Sequence, residues 1–207
     1  MLQVPEQAAA RDSALRRAVL LVAVLNLSYF GTEFGVAIAI QSVSLFADSI
    51  DFLEDTFVNL LIFFALGWSL KRRAQVGMLL AVVLLVPSIA TVWAAWQKLN
   101  LLVAPDPTLL SLTGAGALLI NLTCAFILAR FRHQSGSLTK AAFYSARNDA
   151  LANVAIIGAG LITAITLSPW PDLVVGVGIF FMNLDAAREV YEAAREEHAL
   201  SGQEGES

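Results

Sequence analysis

Asp48, Asp51 and Asp55 lie at i, i+3 and i+7 of one apolar stretch, Ser44–Trp68, and Ser145, Asn148 and Asp149 lie in another, Lys140–Ile165. A carboxylate at bilayer depth costs about 2.5–3.5 kcal/mol on insertion scales. Acidic residues clustered in two such stretches therefore call for a purpose, and the commonest is a path for something positive. A helix turns by about 100° per residue, which puts Asp48, Asp51 and Asp55 on one face. Ser44 starts that stripe, Asn59 extends it, and Glu54 sits at its flank. Ser145 and Asp149 share a face at i and i+4, with Asn148 beside them and Asn153 one turn on. Carboxylate oxygens are hard ligands suited to Mn, Fe(II), Mg and, with nitrogen partners, Zn. An Asp-x-x-x-Asp pair offers two ligands on adjacent turns, and a facing helix with Ser145 and Asp149 completes a four-coordinate shell. Without the ion, neighbouring carboxylates cannot all stay ionised. The empty site then takes up protons that metal entry expels, and proton-for-metal exchange follows from that linkage.

The elements that must position these groups are membrane helices. The chain has 207 residues, 57% of them hydrophobic and only 14% charged, as in a polytopic membrane protein. A span needs about 20 mostly apolar residues. Six stretches qualify, at 18–40, 44–69, 75–96, 109–130, 140–166 and 172–193, which predicts an all-α integral membrane protein with six transmembrane helices. Residues 1–17 form a polar amino-terminal segment, 18–194 the six-helix transport domain, and 195–207 a short acidic tail. Gln41–Val43 is a very short turn, so the first two spans form a tight hairpin. Pro105 and Pro107 break the chain after span three, and Pro169 and Pro171 after span five.

The basic residues orient the bundle. Arg11, Arg16, Arg17, Lys71, Arg72, Arg73, Arg130, Arg132, Lys140, Arg188 and Arg195 fall on one side of a six-span chain, and the other side keeps only Lys98. The excess of positive charge marks the cytoplasmic side and places both termini there. Trp68, Trp96 and Trp170 fall at span ends, as in an interfacial aromatic belt. Gly31 and Gly35 form a GxxxG pair in span one.

Polar stripes also mark spans one and six. Asn26 and Glu33 share a face of the first, and Asp172 and Asn183 share a face of the last. Span four carries Asn121, Thr123 and Cys124 near its middle. Stripes on spans one, two, five and six would converge on one wet cavity. The single cysteine leaves no intrachain disulfide and no Cys-pair metal motif. There is no basic surface to recruit nucleic acid. His133 and His198 lie in a cytoplasmic loop and in the tail, away from the stripes.

The stretch Ser42-Val-Ser-Leu-Phe-Ala-Asp-Ser-Ile-Asp-Phe-Leu-Glu-Asp55 resembles the second span of cation diffusion facilitators, where an Asp precedes a His-or-Asp-x-x-x-Asp pair. Asn26 and Glu33 resemble the family's first-span Asn and Glu. Ser145-x-x-x-Asp149 falls where its fifth span has His-x-x-x-Asp, and Pro171-Asp172 resembles the opening of its sixth. The resemblance implies a cation efflux transporter rather than an enzyme. It implies export of Zn, Cd, Co, Fe or Mn in exchange for protons, needing no cofactor. It also implies a homodimer in the bilayer of the plasma (inner) membrane. By position it makes Asp51, Asp55 and Asp149 metal ligands, Ser145 the fourth position and Asp48 a supporting acid. Asn148, Glu33, Asn26 and Asp172 are further supporting groups.

Two departures bear on the chemistry. Ser145 replaces the family's His, and a neutral hydroxyl is a weaker ligand than imidazole. Asn148, a water or Glu33 would then fill the gap, and an all-oxygen shell favours a harder ion over Zn. The family's cytoplasmic carboxy-terminal domain is not expected beyond span six, so a dimer would form through the membrane helices. The alternative reading is a protein of the same fold with altered transport, acting as a membrane metal-binding or regulatory protein. An intramembrane enzyme using paired Asp lacks support, because there is no phosphate-cradling Gly loop.

Overall fold

The computed structural model describes residues 4–65, 75, 89–131, 136–184 and 188. The described residues form six helices and no strand. These are α1 (Val4–Ile40), α2 (Val43–Ala65), α3 (89–101), α4 (Pro107–Ala129), α5 (Gly136–Thr166) and α6 (Trp170–Leu184). α1 begins well before the expected span start at residue 18. The Ala-, Glu-, Gln- and Arg-rich segment ahead of the span consists of good helix formers and continues the same helix. Most of the expected third span lies outside the described residues, and its described part runs on to residue 101. Lys71–Arg73, Arg132, His133, Arg195 and His198 also lie outside them.

Stretches in α1 (Ser13–Ile40), α4 and α5 (Ser145–Thr166) are long and apolar enough to cross a membrane, and α6 is a shorter apolar helix. α2 matches α4 in length at 23 residues but carries Asp48, Asp51, Glu54 and Asp55. α1 packs on α2 and α4, and α5 packs on α4 and α2, so two helical hairpins face each other. The distribution of residue types is inverted relative to a water-soluble bundle. Phe126 and Ile162 are exposed, while Asn26, Glu33, Asp48, Asn59 and Asn153 are fully buried. Lipid accepts apolar surface, and the polar groups turn to the bundle interior. Outward-facing Ser28, Thr32 and Thr123 bond the carbonyl four residues earlier on their own helix. That keeps their hydroxyls satisfied where no water is available.

Two apolar plugs enclose the polar layer. At the hairpin end, Ala37, Leu45, Ala47, Leu110, Ala152, Ile156 and Ile179 cluster. At the other end, Val19, Val22, Ile62, Cys124, Leu128, Ala142 and Ala146 do so. Gln41, Leu102 and Leu167 adopt positive φ of 54°, 44° and 52°, each immediately after the last residue of α1, α3 or α5. A left-handed residue ends a helix abruptly and lets its amide bond back to the last turn. The Leu102 and Leu167 amides do so to the Lys98 and Thr163 carbonyls, both at 2.8 Å. α4 starts on the Asp106 cap, whose carboxylate accepts from the Leu109 amide at 2.8 Å, with Pro107 in the first turn. Gly31 and Gly35 are exposed, and a Cβ added at either would meet open space among the described residues.

Candidate ion site between helices α2 and α5

The α2 stripe divides into two levels. At the first, Asp48 is fully buried and accepts from Asn153 Nδ2 at 2.6 Å, and Asn153 Oδ1 accepts from Asn121 Nδ2 at 3.1 Å. This chain links α2, α5 and α4. Glu33 of α1 is fully buried and a charge neighbour of Asp48 at the same level. Both Glu33 oxygens and Asp48 Oδ1 are buried without a hydrogen-bond partner. Two carboxyl groups meeting in a dry layer need something positive between them.

At the second level, Asp55 is buried and held from two sides. Asn26 Nδ2 donates to its Oδ2 at 3.4 Å and Ser145 Oγ donates to its Oδ1 at 3.0 Å. Cys124 Sγ donates to Asn26 Oδ1 at 3.4 Å, so the amide that orients Asp55 is itself oriented from α4. Asn59 Nδ2 bonds the Asp55 carbonyl at 2.8 Å. Asp51 is 7% exposed, and its Oδ1 has no partner. Asp149, half-buried on α5, is a charge neighbour of Asp51. Ser145 is likewise half-buried, so this level is less enclosed than the Glu33–Asp48 level.

The residues expected at the site are therefore sorted by tertiary contact. Asp51, Asp55, Asp149 and Ser145 come to the α2–α5 contact, and Asn26 supports Asp55 directly. Asp48 and Glu33 form the adjacent level. Asn148 is exposed and its Oδ1 accepts from Arg147 Nη2 at 3.4 Å, outside the site. Asp172 sits at the hairpin end. Its Oδ1 accepts from the Ser42 and Ser44 hydroxyls, both at 2.6 Å, and from the Ser44 amide at 3.1 Å. Its Oδ2 accepts from the Val43 amide at 2.9 Å. Asp172 thus caps α2 from the first turn of α6. Lys98 Nζ lies 3.9 Å from Asp172 Oδ2 and donates to the Gln41 carbonyl at 2.6 Å. The α1–α2 turn, the end of α3 and the start of α6 thereby meet at one end.

Glu54 was legible only as a flank of the stripe. It is half-buried, its Oε1 is buried without a partner, and its charge neighbours include Asp51, Asp55 and Asp149. Its i+3 spacing from Asp51 is the signal that could have marked it. Among the described residues, no three His, Cys, Asp or Glu side chains stand at metal-shell spacing. The unpartnered oxygens of Asp51 and Glu54 are nonetheless the kind of buried acceptor that a cation satisfies.

A family model described as the cation efflux transmembrane domain matches residues 19–196. None of the curated proteins matches the chain significantly.

Proposed function

The chain belongs to the cation efflux family, and on that premise we propose that it exports divalent metal cations in exchange for protons through the α2–α5 site. Members of this family are membrane transporters of cations rather than enzymes. In the proposed mechanism Asp51, Asp55 and Asp149 bind the transported ion. Ser145 and Asn26 hold Asp55 in place through its two oxygens. The observation that carries the reading is the set of buried carboxylates on α2, with Asp51 and Glu54 oxygens unsatisfied, joined to α5 by the Ser145–Asp55 hydrogen bond.

The proton half of the exchange is supported by Glu33 and Asp48. Asp48 Oδ2 accepts an N–H from Asn153, which suits an ionised Asp48. A proton on Glu33 would then be donated to Asp48 Oδ1. The cytoplasmic placement of both termini rests on the basic flanks of the spans. It puts the half-buried Ser145–Asp149 end of α5 on the cytoplasmic side. A homodimer through the membrane helices is supported by Gly31 and Gly35, which face open space and permit close helix approach. The plasma (inner) membrane is the proposed location. Zn, Cd, Co, Fe and Mn are the cations to compare.

Flux into vesicles reconstituted with the full chain tests the reading. Asp51→Ala, Asp55→Ala and Asp149→Ala should each abolish metal transport, and an imposed pH gradient should drive it in the parent protein. Flux indifferent to the pH gradient would remove the exchange mechanism. Metal binding without flux in the parent protein would favour the alternative of a membrane metal-binding or regulatory protein.

A further inference from the structure

We propose that Lys98 is the latch of an outer gate: it ties the end of α3 to the α1–α2 turn and to Asp172 of α6, and so holds the hairpin end of the bundle closed. This rests on the reading of a transporter with cytoplasmic termini, which makes the hairpin end the outer one. A transporter opens its two ends in turn, so whatever closes each end has to be releasable. The barrier at this end is the apolar plug drawn from α1, α2, α4, α5 and α6, in which Leu45, Ala47, Leu110 and Ile156 are fully buried. Apolar contact alone holds such a plug weakly in a bilayer, because lipid accepts the same surface when helices part.

The polar ties beside the plug act differently. Asp172 is fully buried, and its four donors, the Ser42 and Ser44 hydroxyls and the Val43 and Ser44 amides, are neutral. Countercharge comes from Lys98, only 4% exposed, whose ammonium lies 3.9 Å from Asp172 Oδ2. The same ammonium donates to the carbonyl of Gln41, the left-handed residue that follows α1, at 2.6 Å. The Lys98 carbonyl in turn accepts the Leu102 amide that ends α3. One group therefore joins three helix ends at the point where α1 turns into α2. Withdrawing it strands a buried carboxylate, a cost that parting the plug does not itself impose. A charge carried on one helix end is made or lost as a whole when that helix shifts, which gives the tie two discrete states.

The test is labelling of Ala47→Cys, within the plug, by a membrane-impermeant thiol reagent in sealed right-side-out and inside-out membrane vesicles holding the full chain. Cys124, buried in the opposite plug, is the native internal reference. Ala47→Cys should label slowly while Lys98 is present. Lys98→Met should speed its labelling in right-side-out vesicles by roughly tenfold or more and leave Cys124 unchanged. A combined Lys98→Met, Asp172→Asn variant removes both charges and strands neither. It should show the same rise, and it serves if Lys98→Met alone does not fold. Unchanged Ala47→Cys labelling in both variants, or a rise shared equally by Cys124, would overturn the latch. The underlying reading is checked apart from it. Asn100→Cys, at an exposed position beside Lys98, should label in right-side-out vesicles; labelling only in inside-out ones would overturn the orientation. Metal flux that survives Asp51→Ala would overturn the ion site, and neither result alters the comparison of Ala47→Cys with Cys124.

Discussion

Ser145 Oγ and Asp55 Oδ1 meet at 3.0 Å, joining α5 to α2 at the level where the buried carboxylates collect. Asn26 holds the other Asp55 oxygen from α1. The carboxylate is thus fixed from two helices, as the proposed ligand role requires.

Removing the Ser145 hydroxyl should therefore loosen Asp55 without deleting a ligand. A hydrogen bond to a charged group is worth about 1.5–3 kcal/mol. We expect Ser145→Ala to lower metal flux by roughly tenfold at the weak end of that range, well short of the loss in Asp55→Ala. Initial rates of vesicle uptake distinguish the two.

Asp172 should be the residue whose loss harms the fold most. It accepts two hydroxyls and two backbone amides at the start of α2, with Lys98 close by. Breaking one partner out of a buried charge pair costs about 3–5 kcal/mol. Asp172→Ala should lower the thermal unfolding midpoint in detergent more than Asp51→Ala does. Asp51 Oδ1 has no hydrogen-bond partner to lose.

Gly176 reports on the same contact by packing alone. A Cβ there would lie 2.7 Å from Val43 Cγ1 and 2.8 Å from the Ser44 amide nitrogen, which Asp172 already holds. The backbone cannot yield as a side-chain tip would. We expect Gly176→Ala to destabilise by about 1–3 kcal/mol through overpacking, measured by the same thermal unfolding.

Glu33→Gln should separate metal binding from proton coupling. Gln can donate an N–H to Asp48 Oδ1, in place of a Glu33 proton, but it carries no exchangeable charge. We expect metal binding at Asp51, Asp55 and Asp149 to persist in this variant. A pH gradient should no longer drive metal flux. Flux driven as in the parent protein would show that Glu33 takes no part in the coupling.

Local periodicity was enough to establish much of this protein. The apolar runs and their breaks determined a helical membrane protein, because length and hydropathy along one segment decide whether it can cross a bilayer. The Gln41–Val43 turn was legible for the same reason. Helix α2 starts at Val43 and α4 at Pro107, close to where composition changes. The shared face of Asp48, Asp51 and Asp55 followed from the helical repeat. Partners did not follow from it, because a wheel fixes angle on one helix and carries no information on what stands opposite. Tertiary packing alone decided that Asp48 meets Glu33 and Asn153, that Asp55 meets Asn26 and Ser145, and that Asp172 leaves the polar interior to cap α2. It also turned Asn148 outward and left buried oxygens of Asp51 and Glu54 unsatisfied, a distinction set by neighbouring helices rather than by either residue's own sequence.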